Sequence, residues 1–144
     1  MASAEPVAAV PEAADLGQGF LWPLRGKVLS RYGSKQGGLR NDGINIAAPR
    51  GSKVRAAASG IVAYAGNEIR GFGKLVLIKH EGDLITAYGH NSDLLVRRGD
   101  VVQKGQVIAR VGTSGGVDVP QLHFEIREGR KAVDPKKLLP ARDA

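Results

Sequence analysis

Apolar positions in this chain come in short runs closed by glycine or by charged residues, without the three- and four-residue spacing of an amphipathic helix. Lys74-Leu75-Val76-Leu77-Ile78-Lys79 is an apolar block between two lysines, the pattern of a strand covered on both faces. Leu84-Ile85-Thr86-Ala87-Tyr88 follows across Glu81-Gly82-Asp83, and the two runs read as a hairpin. Gly60-Ile61-Val62-Ala63-Tyr64-Ala65, Val107-Ile108-Ala109-Arg110-Val111 and Leu122-His123-Phe124-Glu125-Ile126-Arg127 predict three more strands. No window carries an amphipathic helix of three turns. Closely spaced short strands predict an all-β domain, a compact β-sandwich or barrel with few or no helices. Asp134-Pro135-Lys136-Lys137 reads as a single helical turn, with Asp134 as N-cap and proline in first position.

Residues 1–19 are rich in alanine, contain Pro6 and Pro11, and lack an apolar period. They are expected to form a flexible linker, with the ordered domain over residues 20–140 and a frayed tail at 141–144. They also lack the basic start and apolar core of a signal peptide, and the leading Met reads as preceding an interior stretch.

Composition narrows the function. A length of 144 residues suits one domain with a true core. No apolar run approaches the ~18 residues of a membrane-spanning helix. The absence of cysteine excludes disulfides, thiolate metal sites and cysteine nucleophiles. The net charge is +7, and Glu5, Glu12 and Asp15 are the only charged side chains of residues 1–19, so the remainder carries +10. Such a domain attracts polyanions, whether nucleic acid, anionic membrane or cell-envelope polymers. Aromatic residues make up only 5% and do not interleave with the basic ones, so no stacking platform exists and no nucleic-acid partner is expected. Arg97-Arg98 and the series Arg127, Arg130, Lys131, Lys136, Lys137 read as solvated faces.

Two patterns fail as chemistry. Gly112-Thr113-Ser114-Gly115-Gly116 matches Gly-x-Ser-x-Gly, but a nucleophile elbow needs a helix after it, and here Val117-Asp118-Val119-Pro120 leads into a strand. Arg98 to Ile108 is similar to a turn of biotinyl and lipoyl carrier domains, without the lysine those carry at a hairpin tip.

Three segments do carry a family signature: Asn41-Asp42-Gly43-Ile44-Asn45 with Ala47-Ala48-Pro49 after it, Tyr88-Gly89-His90, and Gln121-Leu122-His123-Phe124-Glu125. Over residues 22–140 the chain resembles the LytM (lysostaphin-like) zinc peptidases that cut peptidoglycan cross-links, in particular their division-associated alphaproteobacterial members. In that family the first motif is His-x-Gly-x-Asp and the last is His-x-His. The resemblance places the family's metal ligands at Asn41, Asn45 and His123, and its two other histidines at His90 and Gln121. Neutral amides bind zinc feebly, and loss of the carboxylate leaves the dication without a compensating charge. No metal, no cofactor and no catalytic residue is therefore expected. Of the neighbours, Asp42 is expected to point off the site, Glu125 to share the face of His123, and His80 to make a structural hydrogen bond.

The resemblance implies a barrel-like sandwich with a groove where zinc would lie. It implies the role of the family's degenerate members, which bind and activate peptidoglycan amidases during division, with lytic transglycosylases as further candidate partners. The groove positions Asn41, Asn45, His90, Gln121 and His123 would receive the partner, and the setting would be the periplasm, with residues 1–19 leading from upstream wall-binding modules. A peptidoglycan-binding module and a weak, non-standard zinc endopeptidase stay open as alternatives.

Overall fold

The computed structural model of the chain describes residues 19–141. The expected linker and tail therefore fall outside the described residues, apart from Gly19 and Ala141. Twelve strands follow in order among the described residues: β1 (Lys27–Ser30), β2 (Gly33–Ser34), β3 (Arg40–Asn41), β4 (Ile44–Ala47), β5 (Lys53–Arg55), β6 (Gly60–Gly66), β7 (Lys74–Lys79), β8 (Leu84–Leu94), β9 (Val101–Val102), β10 (Val107–Val111), β11 (Gln121–Glu128) and β12 (Lys131–Val133). Ten of them form one antiparallel sheet in the order β1-β4-β11-β8-β7-β6-β9, with β10 joined to β5 and β8, and β12 to β11. β2 and β3 make a separate ribbon. Helical pieces among the described residues are three-residue 3-10 turns; one of them, Pro135–Lys137, is capped by Asp134, whose carboxylate accepts from the Lys136 N–H at 3.0 Å.

The domain is all-β, and the strands read from apolar runs are present. β7 and β8 form the expected hairpin around Glu81–Asp83. β8 extends six residues beyond the segment read from sequence, to Leu94. Its extension is polar and bent: His90 has φ +68°, a left-handed conformation that costs about 1–2 kcal/mol for a residue with a Cβ. The first part of β8 pairs with β7 and β11; beyond the bend Asn91 still pairs with Lys74 of β7, and Asn91 to Leu94 pair with β10. Alternation of apolar and polar residues could not reveal a strand that changes partners midway.

β4 and β11 position the site. Their register sets Ile46 opposite Leu122 and Ile44 opposite Phe124, with His123 opposite Asn45 and Gln121 opposite Ala47. Ile44, Ile46, Leu122 and Phe124 are fully buried. Each is worth about 1.5–3 kcal/mol of burial, so a one-residue slip would cost an amount comparable to a whole domain's stability. The same register turns Asn45, Gln121 and His123 together onto the opposite face.

A directed polar chain crosses the core. The Ala57 N–H donates to the Tyr88 hydroxyl at 3.0 Å, and that hydroxyl is hydrogen-bonded to Thr86 Oγ1 at 2.7 Å. Thr86 then donates to His80 Nε2 at 2.8 Å, and His80 Nδ1 donates to the Ser59 carbonyl at 2.7 Å. Burial pushes the Tyr88 pKa up to about 12, which keeps the phenol neutral within this chain. His80 thus has the structural role expected of it.

Gly43 lies where β4 meets β11. A methyl group there would stand 2.1 Å from the Phe124 carbonyl oxygen and 2.8 Å from Glu125 Cγ. Gly43→Ala is therefore expected to lose on the order of 3 kcal/mol, read as a lowered urea midpoint by Trp22 fluorescence. A midpoint unchanged from wild type would show that the two strands do not approach this closely.

Candidate functional site

The five candidate residues come together. Asn41 ends β3, Asn45 lies in β4, and Gln121 and His123 lie side by side on one face of β11. His90, at the bend in β8, brings its ring to 6.0 Å from that of His123.

Backbone atoms at both ends fix how the amides are turned. The Gly43 N–H donates to Asn41 Oδ1 at 3.0 Å, so Asn41 Nδ2 faces inward and donates to Ser30 Oγ at 2.8 Å and Asn45 Oδ1 at 3.0 Å. Asn45 Nδ2 donates to Gln121 Oε1 at 2.8 Å. Gln121 Nε2 donates to the Val119 carbonyl at 3.0 Å. Every bond in the series runs the same way, from a backbone donor to a backbone acceptor.

His123 joins this chain from the side. Its Nδ1 lies 3.1 Å from Asn45 Oδ1, and its Nε2 lies 2.8 Å from Glu125 Oε2. Glu125 is buried, and burial alone would raise its pKa; the His123 contact and the Arg127 guanidinium, 2.7 Å from Oε1, outweigh this and hold it below the ordinary value of 4.5. Arg127 also reaches Asp42 at 3.6 Å, and Asp42 pairs with Arg40 at 3.1 Å. Glu125 shares the face of His123, as its position in sequence predicts, whereas Asp42, expected to point off the site, joins the edge of the same charged network through Arg127.

His90 donates Nδ1–H to the Ser114 carbonyl at 2.7 Å, which leaves Nε2 as a lone pair. Burial lowers its pKa from 6.5, the Ser114 carbonyl opposes that, and nearby His123 adds to the lowering. Gly115 makes the approach possible, because a methyl there would come 2.8 Å from His90 Nδ1. Ser114 holds no nucleophile role: its hydroxyl donates to the Asn91 carbonyl at 2.6 Å and accepts from the Lys74 N–H at 2.9 Å.

The zinc that the family resemblance implies does not fit these residues. Asn41 and Asn45 are amides committed to their own chain, and both nitrogens of His123 are engaged. Among the described residues no three His, Cys, Asp or Glu side chains converge on a metal position. Sequence reading missed Ser30, Phe72 and Arg127. Arg127 continues the two-residue spacing of His123 and Glu125 along β11, a signal that was available. Phe72, whose ring centroid lies 5.6 Å from that of His123, comes from a loop, and Ser30 depends on β1 pairing with β4; neither leaves a local pattern. A shallow depression lined by Gly66, Asn67, Lys74, Asp93 and Leu94 shares none of the five residues.

An antiparallel all-β scaffold that brings the three motif segments together points to a peptidase fold. The chain belongs to Peptidase family M23, whose model matches residues 39–135. It is 46% identical over 143 residues to the cell division protein DipM of Caulobacter vibrioides, covering 92% of this chain and 24% of that protein. It is 46% identical over 121 residues to the murein hydrolase activator NlpD of Escherichia coli, covering 84% of this chain and 31% of that one. The chain thus spans less than a third of the length of either relative. Among solved structures it is similar to a zinc-containing peptidase from Vibrio cholerae, with a TM-score of 0.77, 28% identity and coverage of 85% of this chain and 41% of that one. It also matches the catalytic domain of lysostaphin from Staphylococcus simulans, with a TM-score of 0.71, 27% identity and coverage of 88% and 96%.

Two predictions follow from these contacts. The triple variant Asn41→His, Asn45→Asp, Gln121→His restores the family's motif residues beside His123 on the same register and is expected to bind zinc measurably by calorimetry while staying folded. A folded triple variant with no zinc affinity would show that positions 41, 45 and 123 do not share a metal centre. The second concerns pH. His90 and Glu125 both have folded pKa values below their ordinary ones, so the unfolded chain binds more protons and stability rises with pH. Their contributions are complete above 6.5 for His90 and above 4.5 for Glu125, and each is lost as pH falls through the lowered folded value. Urea midpoints are expected to fall below pH 6.5 and again below 4.5, with His90→Asn, which tolerates the left-handed backbone, shrinking the first step. An unchanged first step in that variant would remove His90 as its source.

Proposed function

We propose that this domain is a non-catalytic regulator that binds and activates a peptidoglycan hydrolase in the periplasm, an amidase first and a lytic transglycosylase second. Its contact surface is the floor formed by Asn41, Asn45, His90, Gln121 and His123. The observation that carries this reading is the one-way amide chain standing where metal ligands would be: the scaffold is kept and its floor is held shut by hydrogen bonds. The relatives add direction, since one is named a murein hydrolase activator and another a cell division protein. The +10 carried by residues 20–144 favours encounter with an acidic partner within an anionic envelope. No helix among the described residues is long and apolar enough to cross a membrane.

The test is dye release from labelled sacculi with amidase alone, domain alone, and both together. The domain alone is expected to release nothing, and the mixture to exceed amidase alone several-fold. Asn45→Arg and Gln121→Trp, folded by circular dichroism, are expected to abolish the gain. Equal rates with and without the domain, combined with retention on sacculi, would turn the reading to wall binding. Chelator-sensitive release by the domain alone would turn it to a weak endopeptidase.

A further inference from the structure

The hydrogen-bond chain leaves a remainder. Asn45 Nδ2 and Gln121 Nε2 each carry two hydrogens and spend one within the chain, so each keeps one N–H with no protein partner among the described residues. Both side chains are half-buried. Asn41 Nδ2 spends both hydrogens, on Ser30 and Asn45. His90 spends Nδ1–H on Ser114 and keeps the Nε2 lone pair. The floor therefore offers two donors from Asn45 and Gln121 and one acceptor from His90. Because the amides are oriented from backbone ends, this pattern cannot invert by side-chain flips without breaking bonds at Gly43 and Val119.

Exposed apolar side chains adjoin these residues in the sequence. Leu39, two residues before Asn41, is 69% exposed, and Val119, whose carbonyl holds Gln121, is 51% exposed. Phe72 packs its ring against His123. The strand and loop leading to the site hold Arg31, Lys35 and Arg40 and no acidic residue before Asp42.

We propose that the floor recognises a neutral amide group carried on a segment of the protein partner, one with large apolar side chains beside that amide and acidic residues flanking them. This inference rests on the partner-binding reading above. The amide's carbonyl oxygen accepts from Asn45 and Gln121, and its N–H donates to His90 Nε2. A carboxylate satisfies the two donors but sets a second acceptor against the His90 lone pair. The exposed Leu39 and Val119 side chains gain more burial from the large apolar side chains of a protein segment than from the methyl groups of a wall peptide, which favours the protein segment. The basic approach supplies the charge complement.

The experiment uses the full chain and a purified periplasmic amidase. Affinity is measured by calorimetry for wild type, Asn45→Asp, Gln121→Glu and Gln121→Trp, alongside the side-chain amide resonances of wild type in ¹⁵N spectra with amidase or with soluble muropeptides. Each acidic variant replaces an outward donor with an acceptor, and each is expected to weaken amidase binding about tenfold or more. The Asn45 and Gln121 amide resonances are expected to shift with amidase and not with muropeptides. If both acidic variants bind within about twofold of wild type while Gln121→Trp abolishes binding, the floor is contacted but its polarity is not read, and this inference falls while the partner-binding reading stands. If Gln121→Trp also binds normally, the partner-binding reading falls with it. Should an acidic variant fail to fold, the wild-type resonances decide: shifts with muropeptides alone, or with neither ligand, overturn the proposal.

Discussion

One antiparallel register, with His123 opposite Asn45, holds the two faces of this domain apart. On one side it buries Ile44, Ile46, Leu122 and Phe124 completely; on the other it lines up every polar group of the site that lies on β4 and β11. The apolar face is far the larger energy, so it dictates the register, and the polar face inherits a geometry it did not have to stabilise. This is how polar side chains on that face can change without the fold noticing. Asn45 and Gln121 differ in type from the Asp and His of the family motifs, on a face whose position is decided elsewhere.

Two hydrogen-bond chains in the molecule follow one rule. Each begins at a backbone N–H, Ala57 in the core and Gly43 at the floor, and ends at a backbone carbonyl, Ser59 and Val119. With both ends fixed, every hydroxyl, ring and amide between them has one permitted orientation. In the core the result is complete satisfaction of His80, Thr86 and Tyr88. At the floor it is partial, and what is left over is the set of groups that can bind something else.

The strands were legible wherever a short apolar run is closed by glycine, as in β6, β7, β10 and β11, and the single capped turn at Asp134 was legible from residue type alone. β8 was read only up to Tyr88, because its continuation bends at a left-handed His90 and is held by polar contacts rather than by alternating apolar ones. At the site, Asn41, Asn45, His90, Gln121 and His123 were legible through the family motifs that they depart from. The partners that orient them were not. Ser30 arrives by strand pairing, Phe72 by a loop and Ser114 by the tight packing of Gly73 and Gly115, all matters of tertiary approach that leave no local spacing.

A metalloprotein of this shape exists as two populations, loaded and empty, in proportions set by how much zinc its surroundings supply. The closed amide chain from Gly43 to Val119 removes that dependence. Its floor is assembled by folding itself, from atoms the chain always carries, so each folded molecule presents the same surface under metal starvation or excess. For a domain in the role proposed above, that amounts to insulation of its contact surface from any change in metal supply.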